Sequence, residues 1–109
     1  MRYLAITGAD RYPHPDVILD ALDAWLGDSD PAHCLLLHGP GQELIEAWAG
    51  GVGVAVVDSA HLGALISALD ADAFAFWDGV WPGSQTVREW AGLGLDLRLW
   101  GPEGTEMIG

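Results

Sequence analysis

Five apolar runs of strand length alternate with segments that repeat at helical spacing, and this alternation constrains the fold more than any other feature. The runs are residues 3–7, then "HCLLLHG", "VGVAVVD", "AFAFWDG" and "LDLRLWG". Between them lie "PDVILDALDAWLG", "GQELIEAWAGG", "AHLGALISALDA" and "SQTVREWAGLG". In the first of these helical segments Ile18, Leu22, Trp25 and Leu26 share a face; in the third, Leu62, Leu65, Ile66 and Leu69 do. Pro15 and Asp16 suit a first helical turn, and Gly27 suits a stop. Strands joined through helices run parallel, with helices on both faces of the sheet. Nearly continuous apolar strands agree, because both faces are then covered. The expected fold is a single α/β Rossmann-like three-layer sandwich of about five parallel strands, order 3-2-1-4-5. It occupies residues 1–101, with 102–109 as a short flexible tail. In the fifth run Leu95, Leu97 and Leu99 alternate with Asp96, Arg98 and Trp100, the pattern of an edge strand with one face half wet.

A chain of 109 residues suffices for one core, and half of it is hydrophobic. Its charge is lopsided, with 16 acids against 4 bases and a formal net charge of −12. The bases are Arg2, Arg11, Arg88 and Arg98; lysine is absent. Such a surface repels phosphate backbones, which argues against a nucleic acid polymer as partner and against an anionic membrane. The single cysteine, Cys34, permits no internal disulfide and sits in an apolar run that favours an inert buried thiol. The N-terminus lacks the apolar core of a signal peptide, and "AWAGGVGVAVV" is too short and too rich in glycine to span a bilayer. A cytoplasmic protein is expected.

In a sheet of this kind, ligands bind beyond the carboxyl ends of the strands, near the switch in strand order. The first strand is followed by Thr7, Gly8, Ala9, Asp10 and Arg11. The second is followed by His38, Gly39, Pro40, Gly41, Gln42 and Glu43, and the third by Asp58 and Ser59. After the fourth comes "WDGVWPGSQT", in which Gly79 and Gly83 flank a tight loop and Ser84 or Thr86 can cap the next helix. Glycines let a backbone approach a ligand and leave helix N–H groups free to bind oxygens. Trp81, inside this loop, is placed to stack on a base. Asp10, Glu43, Asp58 and Asp78 should ring one mouth, opposed only by Arg11 and Arg88. A ligand there carries few negative charges, or a phosphate-bearing one arrives with a divalent cation.

Other constellations fail. A receiver-domain reading of Asp58 lacks its acidic pair and its lysine. His33 and His38 flank one strand at odd spacing and cannot share a metal. Asp58, Ser59 and His61 read as a helix start before they read as a triad. No catalytic or metal residues are nominated.

The pattern "AFWDGxxxGS", after a strand and leading into a helix, resembles the SLOG superfamily of Rossmann-like proteins, which includes the cytokinin-activating LOG enzymes and the YpsA-like and DprA-like proteins. "ITGADRY" is similar to the "VTGGRDY" opening of one branch, and "HGPGQELIEAWA" to "HGGARGADRLAEEWA". The resemblance runs over about residues 3–100 and implies nucleotide binding, with a phosphate at a helix N-terminus. It implicates Thr7, Gly8, Asp10 and Arg11 in the first turn and Gly39, Gly41 and Glu43 in the second. In the loop after the fourth strand it implicates Asp78, Gly79, Gly83 and Ser84; Trp81, Thr86 and Arg88 complete the candidate ligand site. The "GTxxE" pattern of the LOG enzymes has no clear counterpart here. The expected function is therefore binding of a small nucleotide or nucleoside derivative. Alternatives are a non-catalytic interaction or structural protein, and then a nucleoside-monophosphate phosphoribohydrolase. A homodimer is expected, as is common in the superfamily. Its contact patch would be the face with Leu62, Leu65, Ile66 and Leu69, or the sheet edge with Trp100.

Overall fold

The computed structural model describes residues 1–39, 42–58, 62–79, 88–90, 92 and 97–107. Six strands form one sheet: β1 (Arg2–Thr7), β2 (Cys34–His38), β3 (Ala55–Asp58), β4 (Asp72–Phe76), β5 (Leu97–Trp100) and β6 (Glu106–Met107). Their order is β3-β2-β1-β4-β5-β6, parallel except for the last pair. The expected α/β sandwich with its 3-2-1-4-5 order is thus present, extended by one antiparallel strand. Three helices are described: α1 (Pro15–Leu26), α2 (Glu43–Val52) and α3 (Leu62–Leu69). Residues 88–90 are also helical.

The period-2 alternation of the strands sorts the side chains between two cores. Leu4, Ile6, Leu36, Phe74 and Phe76 face α1 and α2 and meet Ile18, Leu22, Trp25, Ile45 and Trp48. Ala5, Leu37 and Ala73 face the other way and meet Ile66 and Trp90. Tyr3, Leu35 and Leu97 of the sheet pack against this second core, partly buried. Two tryptophans of the first core have their indole N–H groups satisfied by acids, Trp25 on Asp72 at 2.9 Å and Trp48 on Asp23 at 2.8 Å. Helix α1 begins at Pro15 as expected. Gly27 ends it with φ 49°, its N–H donating to the Asp23 carbonyl at 2.9 Å.

Three expectations are corrected at the sheet's far side. β5 is not the edge, because β6 pairs with it. Trp100 is not a surface residue: it is 6 % exposed, stacked on Phe76 at 4.9 Å and edge-on to Phe74 at 4.9 Å. The segment after β5, expected to be loose, is tied to the loop before α1. The Tyr12 hydroxyl donates to the Gly101 carbonyl at 2.6 Å, and a ring nitrogen of His14 lies 2.9 Å from the Pro102 carbonyl. Beyond it, the two Glu106 carboxylate oxygens accept from Arg98 Nε and Nη2, at 2.7 and 2.9 Å.

Of the residues expected to carry a dimer contact, four are described, and the side chain of Leu62 lies outside the described residues. Ile66 is fully buried and Leu65 and Leu69 pack against the second core, while Trp100 belongs to the first. Among the described residues, no helix is long and apolar enough to cross a membrane.

Candidate functional site

Strand β1 ends at Thr7, in register with Ala75 of β4, and the chain then turns sharply at Gly8. Gly8 has φ 82°, and a Cβ on it would run into the Phe76 carbonyl oxygen. Two constraints therefore select glycine here, the left-handed backbone and the approach of β4. At the β1–β4 switch the side of Gly8 where a Cβ would stand lies against the neighbouring strand. The next residues, Ala9–Arg11, form one 3-10 turn that swings the chain over the carboxyl edge toward α1.

A cavity of about 330 Å³ opens between this turn and the start of α2. Ala9, Asp10 and Tyr12 supply one wall, Gln42, Glu43 and Leu44 the other, with Pro15 and Ile45 completing it. Gln42 occupies the N-cap position of α2, but its side chain makes no cap. The amide reaches across the cavity instead, Nε2 donating to Asp10 Oδ1 at 3.1 Å. An ionised carboxylate accepts only, so the amide must turn its NH₂ end to Asp10. That leaves Oε1 buried and, among the described residues, without a hydrogen-bond partner. Gln42 as a whole is 6 % exposed. Helix α2 makes its first capping bond from Glu46 N–H to the Gln42 carbonyl at 3.1 Å, so Glu43, Leu44 and Ile45 are the residues whose N–H groups precede the intrahelical ladder.

Tyr12 gives the cavity a fixed, apolar wall. Its ring lies 5.3 Å from Phe76 and 5.5 Å from His14, and its hydroxyl is held by Gly101. Burial pushes its pKa above the ordinary 10.0, against a hydrogen bond from the Gly104 backbone that lowers it, and Asp16 adds a further upward push.

The structure thus brings together two of the nominated residues, Asp10 and Glu43, and joins to them Gln42 and Tyr12, which the sequence reading did not nominate. Gln42 was visible only as a neutral amide at a helix start beside an acid. Arg11 and Arg88 are exposed, and among the described residues neither side chain forms a hydrogen bond or ion pair. Gly39 is half-buried, with open space where a Cβ would stand. Asp78 and Gly79 follow β4; Gly79 has φ 88° and packs on Pro102, 3.2 Å from where its Cβ would be. Asp58 is the exposed last residue of β3. Gly41, Trp81, Gly83, Ser84 and Thr86 lie outside the described residues.

No family model, curated protein or solved structure matches the chain.

Two further features lie apart from this cavity. A cavity of about 440 Å³ at the opposite, amino edge of the sheet is lined by Trp25, Asp72, Phe74, Leu97 and Arg98. Among the described residues its polar groups are matched, Trp25 to Asp72 and Arg98 to Glu106. His38 is 1 % exposed, with Nδ1 2.6 Å from the Gly39 carbonyl and Nε2 3.3 Å from a carboxylate oxygen of Glu46. His33 is exposed at the other end of β2, so the two histidines are apart, as their spacing requires. Among the described residues, no three of His, Cys, Asp and Glu are placed to hold a metal ion.

Proposed function

We propose that this protein binds a small nucleoside-type ligand in the cavity between the loops that follow β1 and β2. The observation that carries the reading is the Asp10–Gln42 pair, with one amide oxygen left buried and unpartnered in a cavity of about 330 Å³. Buried polar atoms are nearly always hydrogen-bonded, and exceptions cluster where a ligand or water completes them. The volume lies in the range of small-ligand pockets, about 300–1,000 Å³. The cavity sits at the carboxyl edge of a parallel sheet, where such folds hold their ligands. The likeness of "ITGADRY" and "HGPGQELIEAWA" to SLOG sequences supports the same two loops. With no counterpart of the "GTxxE" pattern, the reading is binding without hydrolysis.

The test is a thermal shift series with nucleosides, nucleoside monophosphates and cyclic ADP-ribose-like compounds, with and without magnesium. A saturable rise in Tm for at least one compound is expected, lost in Leu44→Trp, which fills the cavity. No rise for any compound would favour the second reading, a protein that acts through its surface. Arg11 and Arg88, exposed and without a side-chain partner among the described residues, speak for that alternative.

A further inference from the structure

Among the described residues, the side chains that line the cavity offer acceptors and no cationic group. Asp10 keeps one carboxylate oxygen free of Gln42, Gln42 Oε1 is buried without a partner, and Glu43 adds a second carboxylate at the rim. Arg11, next in sequence, is exposed and is not part of the wall. Resting on the reading of this cavity as the ligand site, we infer that it selects a ligand bearing a cationic amino group, seated on Asp10 and Gln42 Oε1, and discriminates against phosphate.

The chemistry of the two sides fits. An ammonium has three donors and no acceptor, so it can serve the Asp10 carboxylate and the orphaned amide oxygen together. Its bond to Asp10 is charge-assisted and correspondingly strong. A neutral hydroxyl brings one donor and no charge, so it cannot serve both acceptors at once. A phosphate brings acceptors and negative charge to a wall that already carries both, in a chain of net charge −12. A bare divalent cation asks for six or more oxygens, whereas the described acids and histidines form no group of three around any point.

The experiment is isothermal titration of the full chain with adenosine, 5′-amino-5′-deoxyadenosine and adenosine 5′-monophosphate, with putrescine and calcium chloride as controls. The amine should bind about tenfold tighter than adenosine and the monophosphate about tenfold weaker, as charge-assisted contacts predict. Both differences should shrink at about 0.5 M NaCl. In Asp10→Asn the amine and adenosine should converge to within about twofold, because the amide keeps the shape and removes the charge. The ranking within the wild type decides the question without any variant. Adenosine binding as tightly as its amine overturns the inference and leaves the nucleoside site standing. Putrescine binding while all three nucleosides fail sustains the cation seat and overturns the nucleoside reading. Calcium binding that competes with the amine replaces the seat by a metal site and overturns the inference. Silence from every probe overturns both.

Discussion

Gly8 shows how one residue can be legible in kind and hidden in purpose. The sequence marks it as a glycine in a turn after a strand, which suggests an approach to a ligand. Its actual neighbour is the backbone of β4, and only the β1–β4 register reveals that. Gly8→Ala should cost about 3 kcal/mol or more, from a left-handed backbone and a backbone clash together. Gly39→Ala, with open space around its Cβ, should stay within about 0.5 kcal/mol. Urea denaturation of both variants checks the contrast. Tyr12→Phe removes the bond to Gly101 and should cost about 1 kcal/mol near neutral pH. Because burial raises the folded-state pKa of Tyr12 above 10.0, the hydroxyl's contribution is complete below pH 10 and is lost as pH rises through the folded value. The gap between wild type and Tyr12→Phe should therefore hold in neutral solution and close in strong alkali, as followed by thermal melts across that range. Asp10 and Glu43 were legible as acids past strand ends. Gln42 was not, because a lone amide gives no periodic or charge signal, and its partner lies in another loop.

Strands and helices were legible wherever a repeating pattern had room to show. Helix α1 carries a proline start, a glycine stop and a full apolar face, and it forms where those signals place it. β6 has two residues, too few for any period, and it was invisible. Its absence from the sequence reading is why β5 was expected at the edge and Trp100 on the surface. Residue alternation in β5 was right about which side chains share a face and silent about what covers that face. The Arg98 guanidinium lies 4.9 Å from the Trp100 ring and 5.3 Å from the Phe74 ring, with Glu106 gripping its outer side. Glu106→Gln should loosen β6 at a cost below about 1 kcal/mol, since both partners are more than a third exposed and water screens the pair. The bond from Arg98 holds the Glu106 carboxyl below its ordinary 4.5. A lowered folded-state pKa contributes stability above the ordinary value and loses it as pH falls through the folded one. Wild type and Glu106→Gln should accordingly differ near pH 7 and converge in acid, which melts at matched ionic strength will show.

The sheet order as a whole was legible because the connection rules leave few alternatives. Helical crossovers force parallel neighbours, right-handed connections fix their side, and a continuous apolar strand must lie inside. The location of the candidate cavity was half legible. Fold rules point to the carboxyl edge, and two of the nominated acids lie on the cavity found there. Which two loops open and which close depends on packing contacts such as Gly8 on Phe76, made between residues far apart in the chain. The central claim is that the cavity between the loops after β1 and β2 is where a nucleoside-type ligand sits. A titration of the ¹⁵N-labelled protein with adenosine and its 5′-amino derivative, followed by backbone amide shifts, tests it most directly. The account predicts that the largest changes fall on Ala9, Asp10, Tyr12 and on Gln42 through Ile45. Changes centred instead on Trp25, Asp72, Leu97 and Arg98 at the amino edge, or none at saturating ligand, would contradict it.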